Sequence, residues 1–420
     1  DAAYILSGSC SGNIILGSST GNVAASISFA VVIGDNAGYQ LTGTADTAPD
    51  YVVLIGFRAG RLFTSGSGNV VVGDNAFYSA GARIRNTVMG TSAMYDATTA
   101  SSNTAMGWLS LNNITTGNHN TAIGVQAGNT LTTTSNTTLL GSQAGYYTTA
   151  DGTVAVGYQT LHLATSGAGN TAMGYRAGYS LGAGHSNTFI GYEAADAFNS
   201  GESNMTAIGR NAMGSADNDS SSNCVAIGVG TLEGGSGVIT NTVAIGNNAL
   251  SSTNARNIDA NIAIGHAAMD STAGGAVTDC IAIGRDSMHH SSNQLNAVTG
   301  DIGIGAYSLQ SLTTGDHNIA IGYEALNDVT TANYNTVVGS YAGSKITTDG
   351  NNTLIGFRAG EYLTESHNVF IGMDAGRLGY NADLSVLIGY SAGEYIGQGN
   401  TNASRVVAVG FEAGKYATGS

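Results

Sequence analysis

The chain has 420 residues, with 62 Gly, a single Pro and 42% hydrophobic residues. That excludes collagen, which needs Gly and Pro together in a strict triplet, and it excludes a disordered tail. Charged residues make up only 10%, and the formal net charge is −15. Lys occurs only at Lys345 and Lys415 and no basic cluster exists, so neither nucleic acid nor polybasic membrane contact is expected. The cysteines, Cys10, Cys224 and Cys280, form neither a disulfide framework nor a zinc motif. No run of about 18 apolar residues is present to insert into a membrane.

The chain begins DAAYILSG, without an initiator Met or a signal peptide, and reads as a piece of something longer. From there one motif recurs, an aliphatic residue followed by Gly. It first closes at Gly17, Gly34 and Gly56, the last step carrying Pro49, and continues through Gly73, Gly90, Gly107, Gly124, Gly141, Gly157, Gly174 and Gly191. Steps then lengthen between Gly191 and Gly305, and the rhythm returns through Gly339 and Gly356 to Gly410. In all there are 23 anchors, and the commonest step is that from Gly73 to Gly90 or from Gly107 to Gly124. A fixed period of this length is the mark of a solenoid.

Every anchor Gly is preceded by Ile, Leu, Val or Met (Ile123, Ile190 and Ile355 among them), and the residue three before it is Ile, Val or Thr. These types favour strand, and positions two apart share a face. The spacing therefore predicts one short strand per coil, with this aliphatic row pointing inward. Asn stands four before the Gly in 12 of the 23 repeats, as at Asn120, Asn170, Asn187 and Asn335, and Ala or Ala-Gly follows the anchor. Gly and Asn tolerate left-handed backbone angles and suit corners. The fold expected is all-β: one continuous parallel β-solenoid over residues 1–420, with about 23 coils and longer coils over 191–305. At one strand spacing per coil, that is a rod on the order of 110 Å.

The residue two before each anchor lies on the other strand face, and it is never polar. A strand apolar on both faces is buried on both. Either the coil is thick enough to bury this second row within one chain, or the row packs against other copies of the chain, and the latter is expected.

The repeats NTAIGVQAG, NTAMGYRAG, NTFIGYEAA, NTLIGFRAG and NVFIGMDAG resemble those of YadA-like heads of trimeric autotransporter adhesins, and the related β-roll repeats of phage tail fibres. The resemblance covers essentially the whole chain. It implies a left-handed β-roll, three chains per fibre, and a role in attachment. The coils are longer than adhesin heads typically have, and the Thr-Thr-Gly-rich loops look more like the phage-type repeats. The expected function is therefore a non-enzymatic, trimeric fibre shaft, extracellular or on a virion surface. Its partners would be itself and a host glycan or protein receptor, with no cofactor or metal. The alternatives are a cell-surface adhesin or an extracellular filament.

Catalysis in a β-helix acting on polysaccharide would need carboxylates stacked on adjacent coils, and Asp74, Asp151, Asp217, Asp301 and Asp349 share no phase. His119, His317 and His367 share a phase but not neighbouring coils, and His289-His290 is a loop pair. Cys224 and Cys280 take the place of the recurrent Asn, three coils apart and too far for a bridge, while Cys10 is a candidate cross-link between chains. Stacked Thr pairs such as Thr115-Thr116 and Thr132-Thr133 raise an ice-binding reading against a plainer Thr-rich edge. Tyr158, Tyr175 and Tyr192 each follow an anchor Gly on consecutive coils. They form either a sugar-stacking stripe or a packing ladder. The longer coils between Gly191 and Gly305 are the other candidate for ligand contact, since insertions in repeat proteins map to surface loops.

Overall fold

A computed structural model describes residues 12–20, 27–41, 50–79, 81–198, 201–215, 221–234, 237–254, 257–270, 272–273, 275–289, 295–398 and 403–417. Cys10, Pro49, Asp217 and His290 lie outside the described residues. The chain divides into two compact units, Asp1–Met205 and Thr206–Ser420. Each is a parallel β-solenoid, and no helix occurs among the described residues.

Each anchor Gly is preceded by a three-residue strand. Eleven lie in the first unit, from Ile14–Leu16 to Thr188–Ile190, and twelve in the second, from Thr206–Ile208 to Val407–Val409. Within each unit every strand pairs in parallel with the next, and equivalent residues face one another. Thr121, Ala122 and Ile123 pair with Thr138, Leu139 and Leu140, and Ile302, Gly303 and Ile304 with Ile319, Ala320 and Ile321. Like stacks on like, which is why the period is legible in the sequence.

The turn after each strand explains the Gly and Ala. In the coil that starts at Gly56, Ala59 N donates to Gly56 O at 3.2 Å, Arg61 N to Arg58 O at 3.2 Å, and Phe63 N to Gly60 O at 3.0 Å. Arg58 and Gly60 have φ of 55°, the left-handed angle that a type II turn needs at its third residue. For Arg58 that conformation carries a steric cost. Neighbouring coils hold it in place, since Arg58 N also bonds Asp35 O and Gly60 N bonds Ala76 O, both at 2.9 Å.

The two strand faces are the reverse of the sequence expectation. The middle residue of each strand points into the coil, and the flanking residues point out. Ala122, Leu139, Ala172, Phe189, Ala207, Val337 and Leu354 are fully buried. Ile123, Ile190 and Ile355 lie on the outer face and are 37–39% exposed. The row open to the outside is therefore the one beside the Gly, and the middle row is closed within its own coil. The interior decides this. So short a coil encloses a narrow core, and the inward row must fit beside the facing turn. A Cβ on Gly145 would come within 2.7 Å of Leu139 Cδ2, and one on Gly128 within 2.7 Å of Leu139 Cδ1. Inward residues are therefore small, or are matched by Gly or Ala opposite, whereas the outer row is free to be uniformly large.

Corner chemistry also differs for Asn. The recurrent Asn is not left-handed; the residue before it is, as at Ser102 (φ 59°), His119 (φ 58°) and Ser186 (φ 59°). The Asn side chain points inward and is buried. In the second unit the extra residues of the longer coils build more sheet. Val238–Thr240, Asn257–Asp259, Val277–Thr278 and Val298–Thr299 form a second parallel stack, closed by buried Ile239, Ile258, Val277 and Val298. These segments are thus tied into the solenoid wall.

Candidate functional site

The outer face of the strands is the most distinctive surface. On each unit it carries a row of Ile, Leu, Val and Met from the residue before every anchor, flanked by Ile, Val or Thr two positions earlier. In the first unit Met89, Ile123, Met173 and Ile190 are exposed, and in the second Ile227, Ile321, Val338, Ile355 and Ile388. A run of large aliphatic side chains in one line exceeds what isolated exposed residues produce, and such patches mark interaction surfaces.

Beside that row, one residue past the anchor, stand Tyr158, Tyr175 and Tyr192. Their rings stack from coil to coil, with centroids 5.5 Å and 5.0 Å apart and interplanar angles of 19° and 11°. Of the two readings the sequence allowed, the structure shows the packing ladder. The rings pack on one another, yet each stays 41–50% exposed. The next position is also laddered. Gln143 Nε2 donates to Gln126 Oε1 at 3.1 Å and Gln159 Nε2 to Gln143 Oε1 at 2.7 Å, after which Arg176 meets Glu193 at 3.7 Å. Glu193 also raises the pKa of the Tyr192 phenol, chiefly by its charge. Aromatic faces edged by amides and one ion pair thus run along three coils.

A second aromatic ladder has no counterpart in the sequence reading. Tyr78 stacks on Tyr95 at 4.8 Å, and further on His162 stacks on Tyr179 at 5.2 Å and meets Tyr146, tilted, at 5.2 Å. Burial lowers the His162 pKa, so this ring tends to stay neutral and behave as an aromatic. Beside it an open groove is lined by Tyr147, Leu163, Thr149, Thr165 and Ser180. The ladder falls at the fifth position after each anchor. The signal was a fixed phase, hidden because Arg61, Asn112 and Asn129 interrupt it.

The polar residues of the Asn phase face inward and hold coils together. Asn120 Nδ2 donates to Thr134 O at 2.7 Å, and its Oδ1 accepts from Thr137 N at 3.0 Å. Asn170 and Asn187 join similarly, with Asn187 N donating to Asn170 Oδ1 at 3.0 Å, and Asn335 Nδ2 reaches Asn318 Oδ1 at 3.1 Å. Cys224 and Cys280 fill two rungs of this ladder, buried and unbridged. Burial pushes their thiols up to about 11 and about 12, so neither is a nucleophile as it stands.

The remaining candidates do not assemble. Asp74 accepts from the Asn75 amide, Asp151 takes the Ser135 N–H, Asp301 is buried, and Asp349 lies on a different phase. His119 is an exposed corner residue, His317 stacks on Tyr334 at 5.4 Å, and His367 is 3.9 Å from Asp383. Among the described residues no group of three His, Cys, Asp or Glu could hold a metal ion. The Thr ladders are already engaged. Thr115 Oγ1 donates to Thr132 O at 3.1 Å and Thr313 Oγ1 to Thr330 O at 2.8 Å, which stitches successive coils along an edge.

No family model matches the chain, and neither the curated proteins nor the solved structures give a match.

Proposed function

We propose that the chain is a structural and adhesive fibre protein without catalytic activity, working as a homotrimer whose outer aliphatic rows pack together. The observation that carries this reading is the exposed aliphatic row on both units. A surface of that kind needs a partner of matching periodicity, and a second and third copy of the same chain supply it coil for coil. The likeness of its repeats to adhesin heads and tail-fibre shafts supports the same reading. So does the use of nearly every polar rung for holding coils together rather than for chemistry. We place it extracellularly or on a virion surface, where three copies multiply weak contacts into useful avidity.

The surface offered to a receptor is the Tyr158, Tyr175 and Tyr192 ladder with its Gln and Arg–Glu border. It suits a neutral glycan, which stacks its apolar faces on aromatic rings and bonds amides with its hydroxyls. A labelled full-length chain applied to an immobilised glycan panel tests this. Retention on a subset of glycans is expected, and it should be lost when the three tyrosines are replaced by Ser. Absence of retention on every glycan, or retention unchanged by that variant, would refute a role for the ladder. A cell-surface adhesin or an extracellular filament would use the same two surfaces.

A further inference from the structure

One rung of the buried ladder is chemically out of place. At rungs such as those of Asn103 and Asn318 an amide does two jobs. Its Oδ1 accepts the N–H of the equivalent residue on the next coil, and its Nδ2 donates to a carbonyl near the end of that coil, as Asn103 does to Gly117 O at 3.0 Å and Asn318 to Ala332 O at 2.8 Å. Asp301 occupies this phase in the second unit and is fully buried. Its Oδ1 does the first job, accepting Asn318 N at 2.7 Å and Asn318 Nδ2 at 3.0 Å. Its Oδ2 stands where the donor belongs, and it is buried without a partner. The register that pairs Asn103 with Gly117 and Asn318 with Ala332 sets the Gly315 carbonyl opposite Asp301.

A carboxylate there would present a buried, unpaired oxygen to another oxygen, which is costly. A carboxylic acid has the one O–H that the position requires. We propose that Asp301 is held as the neutral acid, donating Oδ2–H to the Gly315 carbonyl as an amide mimic, so that this rung closes only while it keeps its proton. The surroundings favour the neutral form. The titratable neighbours are the Cys280 thiol on the preceding coil and Asp316 on the following one, whose carboxylate takes the Thr299 N–H at 2.8 Å. His317 follows Asp316 but is exposed and stacked on Tyr334. No cation among the described residues reaches the buried carboxyl. Burial, the largest cause, lifts its pKa to about 7, and Asp316 adds to the rise.

The folded-state pKa lies above the ordinary carboxylate value of 3.8. The stabilisation is therefore complete below about pH 4 and is lost as pH rises through about 7. In that interval the folded rung keeps a proton that the open chain has released. Hydrogen exchange on the full chain, corrected for intrinsic rates, reads this directly. Protection of peptides covering 295–322 should fall on the order of a hundredfold between about pH 5 and about pH 8, and the D301N variant should show no such fall. The reciprocal N335D variant should acquire a fall over its own coil, and it decides the matter should D301N not fold. Equal pH dependence in wild type and D301N would overturn the proposal, as would an N335D coil indifferent to pH.

Discussion

At the scale of single residues, the repeat is held by two columns with different physical reasons. The anchor Gly column exists because coils are stacked too closely for a side chain. Gly124 has φ of 140°, and a Cβ on it would lie 2.3 Å from Gly141 O. Gly124→Ala is therefore expected to destabilise the first unit by about 3 kcal/mol or more. Gly152, with φ of 69° and nothing within 4 Å of its Cβ, should accept Asn almost without cost, and paired thermal melts compare the two. In the Asn column, Asn120→Ala leaves Thr137 N and Thr134 O unpaired in the interior. A loss of about 2–4 kcal/mol is expected in denaturant titration. The two thiols in that column give a third test. With pKa values near 11 and 12 and no exposure, Cys224 and Cys280 should resist alkylation at neutral pH until denaturant opens the coils, which mass spectrometry follows site by site. Much of this was legible in the sequence. The phase of anchors such as Gly124 and Gly141, and of Asn120 and Asn170, located the columns correctly. The reason for the Asn was not legible, because corner tolerance and a buried amide ladder both place Asn at a fixed phase.

At the scale of the strand, position was readable to the residue and orientation was not. Periodicity located Thr121–Ile123 and Thr353–Ile355 as strands, but both faces are apolar, so alternation could not say which one turns inward. The usable signal was size. The middle row holds Ala122, Ala172, Ala207 and Gly303, which suit a narrow interior, while the flanking row holds only large aliphatics on the Gly side. Adjacent substitutions separate the two faces. Ala122→Asp puts a charge into the core and is expected to unfold the coils around it. Ile123→Asp should leave the monomer fold intact, with an unchanged circular dichroism spectrum, and weaken only self-association. The longer coils carry a similar lesson. Their extra residues looked like loops, yet Ile239 and Ile258 close a second sheet, a pairing that the uneven period of these coils obscured.

At the scale of the whole molecule, the two units share one design: coils locked by backbone ladders and buried amides, with an outward aliphatic row. Near its end the second unit adds an alternating charge ladder, with Arg377 2.9 Å from Glu361 and Lys415 3.2 Å from Glu394. Such pairs are partly exposed and contribute little each, but their alternation penalises a slipped coil register. A net charge of −15 keeps the remaining surface soluble and opposes indiscriminate aggregation. In the proposed trimer, association comes from the aliphatic rows, and their length favours a partner with the same period. The most direct measurement is the molar mass of the full chain by light scattering on a sizing column, run beside a variant carrying Ile123→Asp, Ile190→Asp and Ile355→Asp. Three times the chain mass of 42.2 kDa, falling to one times in the variant, is the expected result. A wild-type chain that elutes as a monomer would contradict the trimeric fibre.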